Sequence, residues 1–227
     1  MRTLNSLADG IWEVEDRLPM PLGIRFPIRM TVLRTGPSSL ALISPIRLDD
    51  DLVAALEAVG RVESIVAPNL LHHLYAGAAA ARFPNARVYA PEGLRAKQPT
   101  LAYTPLSPGP LTPDIEVFRV DGAPEVDEHL FLHRPSRTLV ATDLVFNVRS
   151  GVNWVTRLVF RWVSGTWGHL RVSRLWRRFA KDPAAVRRSL KAVLEADFDR
   201  LVVAHGETVP SDARRALRAG LGFLLEG

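Results

Sequence analysis

Three short apolar runs in this chain each end in a side chain that can bind a metal ion or transfer a proton. The runs and the polar residues after them are 65–67 with Asn69, His72 and His73, 139–142 with Asp143, and 201–204 with His205. Each run is typical of a buried strand, and functional groups in α/β proteins gather in the loops at strand ends. Imidazole and carboxylate both suit zinc and iron. The pattern therefore predicts a divalent-metal site built from two histidines and one aspartate.

The elements that must position these strand ends mix strands and helices along the whole chain. Strands are predicted at 10–15, 29–34, 39–44, 64–67, 87–90, 115–120, 130–133, 138–142 and 201–204, and helices at 52–59, at 74–83, after Asp182 and after Ser211. Residues 91–113 hold six prolines and are predicted as loop. This order indicates a layered α/β protein rather than a simple doubly wound sheet.

Composition excludes several classes of protein. The 227 residues are 47% hydrophobic and 23% charged, as in globular proteins. The absence of cysteine excludes disulfides, thiolate metal sites and cysteine nucleophiles. Neither a phosphate-binding loop nor a nucleophile elbow occurs. The acidic N-terminal segment does not have the pattern of a signal peptide, so we expect a cytoplasmic protein.

The polar strand ends resemble the motifs of the metallo-β-lactamase superfamily. Residues 68–77 align without a gap with that family's histidine-rich motif, 142–146 resemble the segment of its bridging aspartate, and 203–206 resemble its final His-Gly. The resemblance implies one αββα sandwich over residues 1–227, with mixed sheets flanked by helices. Residues 196–200 are also similar to an uncharacterised, domain-of-unknown-function branch of the superfamily, which has no established activity to transfer.

The chain departs from the family motif at most of its ligand positions. Asn69, Leu71, Leu74 and Ala123 stand where the family has histidines, and His73 stands where it has aspartate. The resemblance therefore implies one metal, such as zinc, iron or manganese, held by His73, Asp143 and His205 with water in the open position. Candidates for a further ligand or an orienting partner are His72, Asn69, Glu128 and His129.

On this interpretation the chain is a divergent, mononuclear metal-dependent hydrolase acting on an anionic ester, amide or phosphoester, with Asp143 and His205 as catalytic residues. Two alternatives stay open. The chain is a metal-free binding or scaffold protein that retains the fold, or Asp143 and His205 form a metal-free acid–base pair. The lost ligand positions favour the scaffold protein, whereas Asp143 and His205 at apolar strand ends favour the hydrolase.

Residues 150–181 differ from the rest of the chain and are predicted to form a basic, aromatic insertion or lid. The stretch from Arg157 to Lys191 carries a net charge of +9, compared with +5 for the whole chain, and four of the five tryptophans lie in or beside it. One hypothesis is that Trp154, Arg157 and Arg161 bind a substrate phosphate or carboxylate. Other candidate partners are an anionic membrane surface and nucleic acid, and the alternative is a helix pair that packs its tryptophans inward.

Overall fold

The computed structural model describes residues 2–226 and contains two β-sheets. The first sheet has seven strands in sequential order: β1 (Asn5–Ala8), β2 (Ile11–Pro19), β3 (Arg25–Arg34), β4 (Ser39–Ile43), β5 (Arg61–Val66), β6 (Arg87–Ala90) and β7 (Thr104–Pro105). Strands β1 to β4 pair antiparallel, and β4 to β7 pair parallel. Helices α1 (Asp50–Val59) and α2 (Ala76–Arg82) connect the parallel strands.

The second sheet has five strands in the order β12-β11-β10-β9-β8. They are β8 (Gly109–Thr112), β9 (Ile115–Arg119), β10 (His129–His133), β11 (Thr138–Ala141) and β12 (Arg200–Val203). Only β11 and β12 pair parallel. The helices of this half are α3 (Trp154–Leu158), which continues as a π-helix over Val159–Ser164, α4 (Trp176–Phe179), α5 (Pro183–Glu195) and α6 (Ala213–Leu221). Short 3-10 turns lie at Pro21–Gly23, Glu92–Ala96 and Gly222–Leu224.

Apolar cores between neighbouring layers hold the sandwich together. The two sheets face each other across a core that includes Ile43 and Val66 from the first sheet and Phe131 and Val202 from the second. A second core lies between the first sheet and helices α1 and α2, and a third lies between the second sheet and helices α5 and α6. The order is helix, sheet, sheet, helix, which confirms the predicted αββα sandwich with mixed sheets.

The residues at the helix starts explain why α1 and α5 begin where they do. The Asp49 carboxylate accepts the Leu52 N–H at 3.0 Å, and the Asp182 carboxylate accepts the Ala185 N–H at 2.9 Å. These bonds satisfy backbone donors that have no partner within a helix's first turn. Pro183, in the first turn of α5, lacks the N–H that would otherwise need a partner.

The prediction that residues 91–113 are entirely loop was wrong. This segment contains a 3-10 turn and the short strands β7 and β8. Each strand lies at the edge of its sheet, where proline is tolerated because one side of an edge strand needs no backbone donor. Among residues 2–226, no helix combines the length and the apolar character required to cross a bilayer.

Candidate metal centre

Three side chains from the ends of three strands meet at one point of the sandwich. They are His72 after β5, Asp143 after β11 and His205 after β12. The His72 and His205 Nε2 atoms are 3.0 Å apart, and they lie 3.3 Å and 3.2 Å from the two Asp143 carboxylate oxygens. All three side chains are largely buried. The cluster joins the two sheets, because β5 belongs to the first and β11 and β12 belong to the second.

A sharp turn directs His205 into this cluster. Gly206 has a φ of +101°, and a Cβ at this position would overlap the Asn147 carbonyl group. The Asn147 N–H donates to the His205 carbonyl at 2.9 Å. Glycine allows this close approach and this backbone conformation, which other residues rarely adopt. The geometry of the turn therefore requires glycine directly after His205.

Hydrogen bonds at Nδ1 direct the Nε2 atoms of both histidines inward. His205 Nδ1 lies 2.7 Å from the Pro27 carbonyl oxygen, and His72 Nδ1 lies 2.7 Å from Ser44 Oγ. A carbonyl oxygen only accepts, so His205 carries a proton on Nδ1 and, when neutral, a lone pair on Nε2. Metal-binding histidines are commonly oriented by such a bond to a carbonyl group.

Aromatic rings also fix the orientation of His205. Phe146 stacks on the imidazole with ring centroids 4.6 Å apart and planes 17° apart, and Phe26 meets it edge-on at 4.9 Å. Both phenylalanines also pack against the buried Phe160. This packing limits the side-chain motion of His205.

Asn69 connects His72 and Asp143 through its fully buried side-chain amide. Its Nδ2 donates to Asp143 Oδ2 at 2.7 Å, to Thr142 Oγ1 at 3.0 Å and to the Glu128 carboxylate. Its Oδ1 accepts the backbone N–H groups of Leu71 and His72 at 2.8 and 2.7 Å. Asn69 thus positions residues on both sheets, although it contributes no atom to the cluster itself.

Glu128 supports the turn that carries Asp143. Its Oε1 accepts the N–H groups of Thr142, Asp143 and Leu144 at 3.0, 3.0 and 3.3 Å, and the Thr142 hydroxyl at 2.9 Å. Burial and the nearby Asp143 charge raise the pKa of Glu128 to about 7. Through its hydrogen bonds to residues 142–144, Glu128 fixes the position of Asp143 in the cluster.

The electrostatics of the cluster favour an ionised Asp143. Burial by itself would raise its pKa, but His72 and His205 outweigh this effect and lower the pKa well below its usual range. The pKa of His205 is lowered by burial. The pKa of His72 is raised, because the attraction of Asp143 exceeds the effect of burial. The cluster therefore presents a carboxylate and two imidazoles to a common centre.

The arrangement of these donors fits one divalent cation. Ligands about 2.0–2.1 Å from a tetrahedral zinc lie roughly 3.3 Å from one another. The two Nε2 atoms are 3.0 Å apart, and each lies 3.2 or 3.3 Å from a different oxygen of Asp143. Two imidazole nitrogens and one carboxylate oxygen suit zinc or iron. Three protein ligands also leave a coordination position for a substrate or water.

His73 and His129, two of the residues predicted at the site, point elsewhere. His73 was predicted as a ligand, but its Nδ1 accepts from Gln98 Nε2 at 3.2 Å, and His72 lies beside Asp143 instead. The reason is that successive side chains in the turn after β5 point in different directions. His129 Nδ1 lies within hydrogen-bond distance of the carbonyl oxygens of Pro68 and Asp127, outside the cluster.

An apolar cavity of about 300 Å³ opens beside the cluster. His72, Asp143, His205 and Ser44 provide part of its wall. The apolar part of the wall consists of Leu18, Met20, Phe26, Ile28, Pro45, Ile46, Leu71, Leu74, Val126, Phe146, Leu175, Trp176 and Phe179. A cavity of this size next to ionisable groups is typical of a small-molecule site.

Residues 150–181 contact this cavity through apolar side chains. Arg157 and Arg161, the predicted substrate-binding arginines, do not line it. Leu175, Trp176 and Phe179 line it, and Trp176 Nε1 donates to the Asp143 carbonyl at 2.6 Å. Trp154, Arg157 and Arg161 are not among its lining residues and lie exposed on α3 and the π-helix. That these three residues bind a substrate phosphate or carboxylate stays a prediction.

Several residues of the site were not predicted from the sequence. Ser44 is the polar residue directly after the apolar strand β4. It could have been found from the sequence by the same pattern that marked Asp143 and His205. The Pro27 carbonyl and the Trp176 indole have no such signal. Their contacts join residues far apart in the chain.

Comparison with known proteins identifies a fold but no characterised sequence relative. A family model described as "Domain of unknown function (DUF4336)" matches residues 8–95. A comparison with curated proteins found no match.

Solved metallo-β-lactamase structures match the chain over nearly its full length. The enzyme from Pontibacter korlensis is 13% identical, with a TM-score of 0.67 and complete coverage of both chains. The mono-zinc form of FIM-1 from Pseudomonas aeruginosa is 13% identical, with a TM-score of 0.64 and coverage of 97% of this chain and 94% of that one. The enzyme from Hirschia baltica is 10% identical, with a TM-score of 0.63 and coverage of 99% and 97%. The chain therefore has the metallo-β-lactamase fold, with a metal motif that departs from the family pattern.

Proposed function

We propose that this chain is a mononuclear metal-dependent hydrolase whose single divalent cation is held by His72, Asp143 and His205. The observation that carries the proposal is the convergence of one ligand atom from each residue within 4.8 Å of the others, with the two Nε2 atoms 3.0 Å apart. The orientation of His205 supports it further. Its Nδ1 proton is bonded to Pro27, so its neutral Nε2 directs a lone pair toward a carboxylate oxygen. A metal ligand must be a neutral imidazole with such a free lone pair.

A divalent cation at this position would supply Lewis-acid chemistry, which polarises a carbonyl or phosphoryl group and makes water reactive at neutral pH. The chain's own residues would hold and orient the ligands. Ser44 and Pro27 orient the imidazoles. Asn69 donates to the Asp143 carboxylate, and Glu128 accepts the backbone N–H of Asp143. Zinc or iron suits this donor set better than magnesium, and one neighbour of the same fold is described in a mono-zinc form.

The cavity favours a substrate with an apolar portion. Its wall beyond the cluster is built largely from aliphatic and aromatic side chains, which would hold that portion and exclude water from the reacting bond. The net charge of +5 favours a substrate that also carries negative charge. We therefore assign the substrate to the anionic esters, amides or phosphoesters with an apolar group next to the scissile bond.

The metal content of untagged protein tests this proposal. We expect about one zinc, iron or manganese per chain in the wild type, after reconstitution if necessary, and a large loss in His72→Ala and His205→Ala. His73→Ala is the matched control, because it removes the adjacent histidine that bonds to Gln98 instead. Circular dichroism would verify that each variant is folded.

Two results would contradict the proposal. One is a wild type with far less than one metal per chain that added zinc or iron does not load. The other is equal loss of metal in His73→Ala and His72→Ala. The first result would favour a metal-free binding or scaffold protein with the same fold.

A further inference from the structure

Large apolar side chains with high exposure lie in four segments of the molecule. Among residues 2–226 they are Met20, Leu22, Leu71, Leu74, Trp154, Leu158, Trp162, Val163 and Leu175. Met20, Leu71, Leu74 and Leu175 also line the cavity beside the candidate metal centre. Part of the exposed apolar surface therefore borders the cavity.

The helical segment of α3 and the π-helix has a face of tryptophan, leucine and arginine. Trp154, Arg157, Leu158, Arg161 and Trp162 are spaced three and four residues apart and are all exposed, with Trp154 at 69% and Trp162 at 64%. The buried residues of the same segment are Thr156, Phe160 and Ser164. The outward face thus combines aromatic, aliphatic and cationic side chains, with no partner inside the described chain to cover it.

Hydrogen bonds connect this face to the cavity mouth on both sides. On one side, the Asn153 amide donates to the Gly23 carbonyl at 2.8 Å, which places the 88% exposed Leu22 next to α3. On the other side, the Arg174 guanidinium donates to the Trp162 carbonyl at 2.8 Å, which places Leu175 next to the π-helix. We call the surface formed by Met20, Leu22, Trp154, Leu158, Trp162, Val163 and Leu175 the docking face.

The segment that supplies most of the docking face carries charge of one sign along the sequence. Residues 144–181 contain no aspartate or glutamate. Their basic residues are Arg149, Arg157, Arg161, Arg171, Arg174, Arg177, Arg178 and Lys181. Arg157 and Arg161 alternate with the exposed tryptophans along the helical segment. An anionic partner with an apolar interior complements both features.

We propose that the docking face binds the surface of an anionic lipid bilayer. Tryptophan and leucine insert at the level between headgroups and acyl chains, while arginine pairs with lipid phosphates. The aliphatic Leu22, Leu158 and Val163 favour a bilayer over single-stranded nucleic acid, which needs aromatic faces for stacking. Bound in this way, the chain would open its cavity toward the bilayer. This inference does not depend on the proposed metal.

Cosedimentation of the full chain with vesicles tests the inference. We compare vesicles of phosphatidylcholine alone with vesicles that also contain phosphatidylglycerol, at low and high salt. We expect binding to the anionic vesicles, weakened by salt because exposed charges are screened. His72→Ala should bind equally well, which separates this result from the test of the metal centre.

Paired variants locate the binding surface. Arg157→Gln/Arg161→Gln should weaken binding roughly 30-fold, since each basic residue near the surface contributes about 1 kcal/mol. The control, Arg87→Gln/Arg215→Gln, removes the same charge from exposed positions on β6 and α6 and should retain most of the affinity. Trp154→Ala/Trp162→Ala should weaken binding without lowering the melting temperature, because both side chains are exposed.

Three outcomes would overturn the inference. They are no binding to anionic vesicles at low salt, equal loss of binding in the two arginine pairs, and retention of a single-stranded oligonucleotide by a chain that does not bind vesicles.

Discussion

Asn69 stands where the metallo-β-lactamase motif has a histidine, and in this chain its side chain donates and accepts hydrogen bonds. Its Nδ2 donates to Asp143, Thr142 and Glu128, and its Oδ1 accepts two backbone N–H groups. An imidazole has no comparable set of donors and acceptors. At the scale of single residues, the departure from the motif thus places a side chain that orients Asp143 and the backbone of His72.

The first prediction at this scale concerns Asn69→Asp, which preserves the shape and the accepting oxygen but replaces the donor with a charge. The new carboxylate would face Glu128 and Asp143 in a fully buried position. We expect the free energy of unfolding at pH 7 to fall by about 3 kcal/mol or more. Urea denaturation measures this change. The exposed Asn85→Asp is the control, and a similarly small effect of both substitutions would contradict the assigned hydrogen bonds.

At the scale of secondary-structure elements, the turn after each strand determines where the side chain at the strand end points. After β12 that turn depends on Gly206, where the chain passes against the Asn147 carbonyl with a φ of +101°. Asn147 in turn accepts the Glu207 N–H at its carbonyl at 2.9 Å. The position of His205 is therefore coupled to the segment after β11.

We expect Gly206→Ala to lower the free energy of unfolding by about 3–5 kcal/mol, through a strained backbone and an overlap with Asn147. Gly168→Ala is the matched control. Gly168 also has a positive φ, +85°, but nothing lies within 4 Å of an added Cβ, so about 1–2 kcal/mol is expected. Denaturation midpoints of the two variants measure the difference, and equal values would show that the close approach is not required.

At the scale of the whole molecule, polar bonds link the two sheets at separate places. The candidate metal centre is one of them. Another is His133 at the end of β10, whose Nε2 lies 3.1 Å from the carbonyl oxygen of Arg34 on β3. His133 is buried, and burial lowers its pKa. The link therefore contains a neutral imidazole that resists protonation while the protein is folded.

This link predicts that stability falls on acidification. As the pH drops below about 6.5, the unfolded chain protonates His133 before the folded protein does, so the free energy of unfolding decreases. His133→Gln should reduce this slope by up to about 1.4 kcal/mol per pH unit. The control is His169→Gln, which replaces an exposed imidazole. Urea denaturation between about pH 5 and pH 8, the range in which a histidine ordinarily changes its charge, measures the slopes. Identical slopes in wild type and His133→Gln would refute the assignment.

The sequence by itself determined the layered architecture and the strand ends where chemistry can occur. Apolar runs such as 139–142 and 201–204 predict buried strands, and the polar residues after them mark the edge of a sheet. This local pattern placed Asp143 and His205 among the candidates. The helix after Asp182 was also predicted, because capping depends on neighbours only a few residues away.

The tertiary structure decided which of two adjacent histidines joins the cluster. His72 and His73 have the same chemistry and neighbouring positions, and the path of the turn after β5 directs only His72 toward Asp143. The bonds to Ser44 and to the Pro27 carbonyl, and the exposure of Trp154 and Trp162, likewise depend on contacts between distant segments. Periodicity and spacing report the preferences of a segment along the chain, whereas side-chain direction and exposure depend on which segments pack together.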